Sequence, residues 1–492
     1  MRITTLACLT TFLTLPPLAL TVTAARAENG HDSGGLSYVA GDLELTFSLD
    51  AGLGFFTVPN AQNGAGSFSP HGSRAGRRDW AEGFVAPGLQ LDYNLGDSSL
   101  YGGVKVTGAL TRGSGDAELQ STTSNRPEAL GLEELFIGWK SGIAFAALGE
   151  DAIDLSLGRQ AFSVGDGFLI LEGTGNGGRR AAKVLGPREA FERTAILKLN
   201  TQPVRADIFH LESVTDQDFM RGEDAPAAKL YGANIEWFGS NHEDHGRFEY
   251  EERAWYVGAT VLRLYDSDRD LAPQRDGLNV YAIRTGGAIL SQVSDALKDF
   301  ALYSEYGIQR NSDAGNKHRA HAWYIEPQYT FSGLPWQPML AYRYAHFSGD
   351  ADATDTTGKA WDPLFTGGGP RGFGSWDQGE IFAQYIGANS NLNTHMVHLL
   401  AKPADDLAIG VVYYRHRFDK SDIASGITSD KLTRELNLYA EWETPLPGLE
   451  LTFVLGAAKA DTGRKQQLAA EIGASDTDDT MYLGAVTLNY TF

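Results

Sequence analysis

From about residue 38 onward the chain alternates apolar and polar residues with a period of two. Beyond its N-terminal segment it holds no apolar run of the roughly 18 residues that a membrane-crossing helix requires. Leu43, Leu45, Phe47 and Leu49 alternate with Glu44, Thr46, Ser48 and Asp50. Leu89, Leu91, Tyr93 and Leu95 alternate with Gln90, Asp92 and Asn94, and Trp323, Ile325, Tyr329 and Phe331 with Tyr324, Glu326, Gln328 and Thr330. Such alternation predicts strands with one apolar and one polar face. It fits either a soluble sandwich or a barrel whose apolar face meets lipid.

The spacing of the segments separates these two folds. The pattern predicts eighteen strands, near 38–50, 83–95, 99–112, 131–141, 153–161, 193–200, 204–213, 229–240, 246–265, 278–290, 299–311, 319–332, 337–350, 389–402, 406–419, 431–444, 449–461 and 480–492. Long polar gaps at 51–82, 113–130, 162–192, 214–228, 266–277, 312–318, 351–388, 420–430 and 462–479 alternate with short turns such as 200–203, 332–336, 402–405 and 444–448. Long loops at one end and short turns at the other are the topology of an outer-membrane barrel, and a sandwich has no cause to sort its connections so. The last segment places Tyr482, Val486, Leu488, Tyr490 and the terminal Phe492 on one face. A final strand ending in an aromatic residue resembles the signature read by the outer-membrane assembly machinery. Tyr93, Trp139, Trp336, Trp442 and Tyr482 sit near strand ends, where interfacial aromatic girdles lie.

Residues 1–27 read as an export signal: Arg2, an apolar stretch through Leu20, and Ala25-Arg26-Ala27 before Glu28. Pro16-Pro17 interrupts the run, which argues against a membrane anchor. The barrel is then expected over 28–492, in the outer membrane of a Gram-negative cell. The single cysteine, Cys8, falls in the leader, so no disulfide framework is expected.

Composition narrows the function classes. With 41 basic and 62 acidic residues the formal charge is −21, which speaks against a nucleic-acid partner. The mean hydropathy of −0.25 excludes a helical membrane protein but not a barrel, whose two faces average out. Enzyme motifs are weak. Residues 173–180 are glycine-rich but lack the lysine and the strand-to-helix setting of a phosphate loop. His242 and His245 with Glu243 and Asp244 lack a third ligand pattern, so neither a metal nor a cofactor is expected.

Taking the apolar parity as outward, Lys105, Lys140, Lys198, Arg205, Arg284 and Arg343 point into the lumen, together with Glu44, Asp50, Asp92, Glu134, Asp207, Glu305, Glu326, Glu441 and Glu450. Pairing of these charges across the wall is the structural reading; contact with a passing anion is the functional one. Strict alternation would place Arg159 with Leu155 and Leu157 on the lipid face, at a cost of roughly 2–4 kcal/mol at the midplane. Gly158 is expected to mark a bulge that turns Arg159 inward.

Three segments resemble the alginate export family of outer-membrane proteins. They are Gly158-Arg159-Gln160 with the following residues to Gly167; Asp362-Pro363-Leu364-Phe365 with Arg371-Gly372-Phe373-Gly374, Trp376-Asp377-Gln378-Gly379-Glu380 and Asn389-Ser390-Asn391-Leu392; and Arg434-Glu435-Leu436-Asn437-Leu438. The resemblance implies a monomeric barrel with an arginine-rich constriction for an anionic polyuronate, and it carries constriction roles onto Arg159 and Arg371. The family's closely spaced arginines on the penultimate strand have no counterpart in Leu449–Leu455. The expectation is therefore a passive channel for an anionic polysaccharide or oligosaccharide, not an enzyme. Lumen candidates are Arg159, Arg371, Lys105, Lys140, Arg205, Arg284, Arg343, Glu134 and Glu326. A porin taking up small organic acids or sugars is the alternative, and a plugged structural or adhesive barrel a third reading. The barrel exterior is expected to meet outer-membrane lipid and lipopolysaccharide.

Overall fold

The computed structural model describes residues 36–492 except 70–71, 122, 124–126, 172, 174–180, 219–222, 240–254, 267–274, 314, 316, 352–354, 368–370, 375–377 and 475–476. The export signal and the His242–His245 cluster lie outside the described residues, as does most of the glycine-rich stretch 173–180.

Eighteen antiparallel strands close into one barrel. They are β1 (Leu43–Pro59), β2 (Arg77–Asn94), β3 (Ser99–Gly113), β4 (Glu128–Lys140), β5 (Ile153–Gln160), β6 (Phe191–Asn200), β7 (Val204–Asp218), β8 (Glu223–Phe238) and β9 (Trp255–Tyr265). The second half comprises β10 (Asn279–Gly287), β11 (Phe300–Asn311), β12 (Lys317–Thr330), β13 (Met339–Phe347), β14 (Leu392–Ala404), β15 (Leu407–Phe418), β16 (Lys431–Glu443), β17 (Leu449–Ala460) and β18 (Thr480–Thr491). Each strand pairs with its sequence neighbours, and β1 closes on β18 from Asp50↔Thr491 to Thr57↔Gly484. Phe492 finishes the seam: its N–H and C=O both bond Leu49, at 3.0 and 2.9 Å.

The period-two pattern is expressed in the wall. In β15, Val412, Tyr414 and His416 are buried inside, whereas Val411, Tyr413 and Arg415 are exposed. Leu455 is 63% exposed, Ile283 64% and Ile208 61%, on strands whose inward neighbours Val454, Ala282 and Phe209 are buried. A belt of large apolar side chains facing outward has only lipid to cover it. Tyr93, Trp336, Trp442 and Tyr482 are exposed near strand ends, as girdle residues are; Trp139 is half-buried.

Several boundaries differ from the sequence expectation, and the expected loop 51–82 is shorter because β1 runs on to Pro59 and β2 begins at Arg77. The first segment is a hairpin, with Leu36–Ala40 turning at Gly41 (φ 65°) to pair with Leu43–Phe47. Because the β1–β18 pairing starts at Asp50, this arm covers a strand edge that would otherwise be bare. The expected loop 214–228 is largely strand, since the β7–β8 ladder runs through register shifts to Asp218↔Glu223. Of the expected strand 246–265, Trp255–Tyr265 is strand β9, and 246–254 lie outside the described residues. The expected loop 462–479 contains a helix, α1 (Thr462–Ile472), closed by Gly473 in the left-handed region, φ 65°. Its buried Arg464 donates to Gln62 Oε1, so loops from both sides of the seam meet there.

The parity makes opposite predictions for two neighbours on β17. Leu455→Arg, on the lipid face, should lower stability by roughly 2–4 kcal/mol in refolding titrations against lipid vesicles. Thr452→Ser, on the inner face, should lower it by under about 0.5 kcal/mol. Equal effects would refute the assigned faces.

Candidate functional site

The lumen is crossed by long loops that fold inward from the loop end. Phe162, Val164, Phe168, Leu169 and Ile170, following β5, pack with Trp361, Leu364 and Phe382 from the β13–β14 loop against the inner faces of β6–β13. The two loops pair with each other: Leu171 N–H donates to Phe365 C=O at 2.8 Å, and Phe365 N–H to Leu169 C=O at 3.1 Å. Burying apolar loop residues against the wall's small inward alanines, such as Ala282, Ala301, Ala320, Ala322 and Ala345, fills space that a wider pore leaves to water.

Charge fixes this packing at mid-lumen. Asp166, fully buried between Gly165 (φ 56°) and Gly167 (φ 84°), accepts from the hydroxyls of Tyr256 (2.7 Å) and Tyr324 (2.6 Å) on the wall. It also accepts from Arg371 Nε of the second loop at 3.0 Å. The rest of the Arg371 fork meets Glu326 of β12, Nη1 to Oε1 at 3.1 Å and Nη2 to Oε2 at 3.3 Å, while its guanidinium lies 3.8 Å over the Tyr303 ring. Arg343 of β13 reaches Glu326 at 3.4 Å and the Gly374 carbonyl at 3.3 Å. Arg284 packs beneath Gly165, pairs with Glu236, and donates to Asn234 and to Thr260 (2.7 Å). Bidentate Arg–carboxylate contacts are strong and geometrically specific.

The base of the second loop is held separately. Arg275 grips Asp362 through two bonds, 2.8 and 2.7 Å, and Gln309 of β11 bonds the Asp362 backbone in both directions, 2.7 and 2.9 Å. Burial alone would raise the Asp362 carboxyl; the Arg275 fork and the Leu364 N–H outweigh it and hold it below its ordinary value. Glu435 of β16 accepts the N–H groups of Ile381 and Phe382, both at 2.8 Å, tying the far end of the loop. Below the lock, a cavity of 320 Å³ opens toward the turn end, lined by Glu326, Arg371, His398, Lys402, Tyr439 and Glu441 among others.

The sequence candidates therefore divide. Arg371, Arg343 and Glu326 form one cluster, with Arg284 adjoining it through the first loop. Arg159 is buried and turned off the lipid face, as the bulge at Gly158 (φ 132°) demands: the register shifts between Gly158 and Gln160, and a Cβ on Gly158 would lie 2.3 Å from the Leu135 carbonyl. Its partners are Glu192 and the Glu133 carbonyl (2.9 Å), away from the lock. Lys105 pairs with Asp50 at 3.0 Å and stands 4.0 Å from Glu134. Lys140 lies over Tyr101 at 5.1 Å, and Arg205 over Phe238 at 5.9 Å with a 3.3 Å bond to Asn200. These four do not join the central cluster. Near Lys105, the Glu189 carboxyl is raised by burial and by the neighbouring Glu133. Asp166, Tyr256, Tyr324, Arg275 and Glu435 had no role assigned from sequence. Only the Gly-Asp-Gly of 165–167 offered a local signal, a carboxylate framed by residues free to take positive φ.

An outward apolar belt around a polar lumen spanned by inward loops defines an outer-membrane β-barrel of the channel class. Solved structures similar to it share that fold: a BenF-like porin from Pseudomonas fluorescens Pf-5 (TM-score 0.55, 9% identity), Pseudomonas aeruginosa OccK9 (OpdG) (0.53, 13%) and Pseudomonas aeruginosa OpdK with vanillate (0.51, 10%), each covering 91% of this chain and 98% of its own. No curated protein matches the chain by sequence. The alginate export family profile matches residues 89–488, and the chain belongs to that family. It is an outer-membrane channel of the alginate export type. The three segments that carried the resemblance all meet the loop-held lumen: 158–167 and 362–374 bind each other through Asp166 and Arg371, and 434–438 supplies Glu435.

Removing one partner from the lock strands the others. Glu326→Ala leaves Arg371 and Arg343 short of a carboxylate and should cost roughly 3–5 kcal/mol in chemical unfolding, against little for Glu44→Ala near the turn end. Two loop carboxyls, Asp362 and Glu189, act on pH in opposite senses. Asp362, depressed, stabilises the docked loop above its unfolded pKa, and this is lost as pH falls through the folded value. Glu189, raised, favours docking below its unfolded pKa, and this is lost as pH rises through the folded value. Asp362→Asn should therefore flatten the acid limb of a stability–pH profile and Glu189→Gln the alkaline limb; the reverse assignment would be contradictory.

Proposed function

We propose that the chain is a loop-gated passive channel in which the carboxylates of an anionic saccharide exchange for Glu326 and Asp166 on the Arg371–Arg343 pair. The observation that carries this reading is Arg371 itself: a guanidinium on an inward-folded loop, held by two carboxylates and facing the 320 Å³ cavity. A uronate carboxylate offers the same planar two-oxygen face as Glu326, so it can replace that partner without leaving the arginine bare. The second reading, uptake of small organic acids, is favoured by the cavity's size, which lies at the lower end of the roughly 300–1,000 Å³ typical of small-molecule sites.

Delivery follows from the termini. Residues 1–27 act as an export signal, leaving a monomeric barrel over 28–492 in the Gram-negative outer membrane, and the Phe492 end of β18 is the segment presented to the assembly machinery.

Reversal potentials across planar bilayers under a salt gradient test the proposal. The wild-type channel should prefer anions and be blocked by uronate oligomers at concentrations where neutral oligosaccharides of equal length leave it open. Arg343→Ala with Arg371→Ala should shift the reversal potential toward zero and weaken uronate block about tenfold or more. Block by small aromatic acids with none by uronates would establish the second reading instead. Cation preference in the wild type would overturn both.

A further inference from the structure

We propose that the outer wall of β14–β17, near the loop end, binds the phosphorylated head group of an outer-leaflet glycolipid. The register sets His395 opposite Arg415, Arg415 opposite Arg434, and Arg434 opposite Lys459. One cross-strand row on the exposed face thus carries three permanent cations, Arg415, Arg434 and Lys459, beside His395, over three inter-strand steps, roughly 15 Å. Directly opposed like charges destabilise a sheet. Here only Arg434 has a carboxylate, Asp461 at 2.8 Å; among the described residues Arg415 and Lys459 have no acidic partner.

On the outer walls of β2–β4 and β6–β7 the same problem is solved by internal pairing, whereas Arg310 and Arg319, directly opposed on β11 and β12, form a shorter exposed basic pair. Outward bases on the β2–β4 and β6–β7 walls are matched by acids, as in Arg77–Asp79 (2.8 Å), Arg112–Glu128 (2.9 Å) and Arg193–Glu212 (3.3 Å). The β14–β17 row sets Arg415, Arg434 and Lys459 in register with one carboxylate among them, a surplus of charge that suits an external anion. What lies beneath it sets the kind of anion. Two residues nearer the turn end, the row is Val397, Tyr413, Leu436 and Ala457; two further, it is Leu399, Val411, Leu438 and Leu455. Cations directly above an exposed apolar surface match an amphiphile with phosphate on its head and acyl chains below. Arg415 and Arg434 offer planar forks to phosphate oxygens, and Lys459 a point charge. The inference rests on the membrane-spanning wall and not on the channel's cargo.

Purified full-length protein in neutral detergent, titrated with diphosphoryl hexa-acyl lipid A and followed by native mass spectrometry, provides the test. The expected result is saturable binding that the fully dephosphorylated lipid with the same acyl chains does not reproduce, and that millimolar inorganic phosphate does not displace. Arg415→Gln with Lys459→Gln should weaken lipid binding at least about tenfold while leaving single-channel conductance unchanged. Arg193→Gln, outside the row, should leave binding intact. Equal binding of the dephosphorylated lipid, displacement by phosphate alone, or full affinity in the double variant would each overturn the proposal. The first two outcomes are read on the wild-type chain and stand even if the double variant does not fold.

Discussion

Arg371 has to be neutralised wherever it goes, and the interior of the barrel is arranged around that requirement. Buried at mid-lumen, its guanidinium is met by Asp166 from one loop and Glu326 from the wall, and it is stacked on Tyr303. An ion pair of this kind adds little net stability over apolar packing, but breaking it is costly, so it selects one arrangement of the loops over others. Asp166 carries the constraint outward to Tyr256 and Tyr324, and Glu326 carries it to Arg343. The apolar packing of Phe168, Trp361 and Phe382 fills the space; the charges decide the register in which it is filled.

The same arrangement bears on the mixed sign of the lumen. A lumen serving anions has to carry cations at its narrowest point, yet an unpaired buried arginine is untenable. Here each of Arg284, Arg343 and Arg371 is resident with a carboxylate. In the proposed mechanism closure and anion recognition would use the same contacts: an incoming carboxylate would compete with Glu326 and Asp166 for the arginine of the inward loop. A mixed-sign lumen is thus consistent with anion passage so long as the acids can be displaced.

The wall was legible because alternation is a local property: inward and outward residues can be counted strand by strand, and Arg343, Arg284 and Glu326 were placed on the correct face. Arg159 could be resolved only through Gly158, whose missing Cβ lets the chain bulge against Leu135. What the loops do was not legible, because Asp166 and Arg371 lie about 200 residues apart and neither segment has a period. Resemblance picked out the segments, but not that they touch. The roles of Arg275 and Glu435 are not legible for the same reason, since they depend on Asp362 and on the Ile381–Phe382 backbone. The helix α1 escaped notice because its apolar contact is a single buried Leu468 among polar residues.

Loop control of the pore is the central claim, and single-channel conductance after loop excision addresses it most directly. Replacing residues 363–374 with a short Gly/Ser linker removes Arg371 and its pairing with the first loop, while leaving every wall strand intact. Loop gating predicts a several-fold larger, ohmic conductance in the excised channel that uronate oligomers no longer block with wild-type affinity. An unchanged conductance and unchanged uronate block would place the gate elsewhere and contradict the assignment.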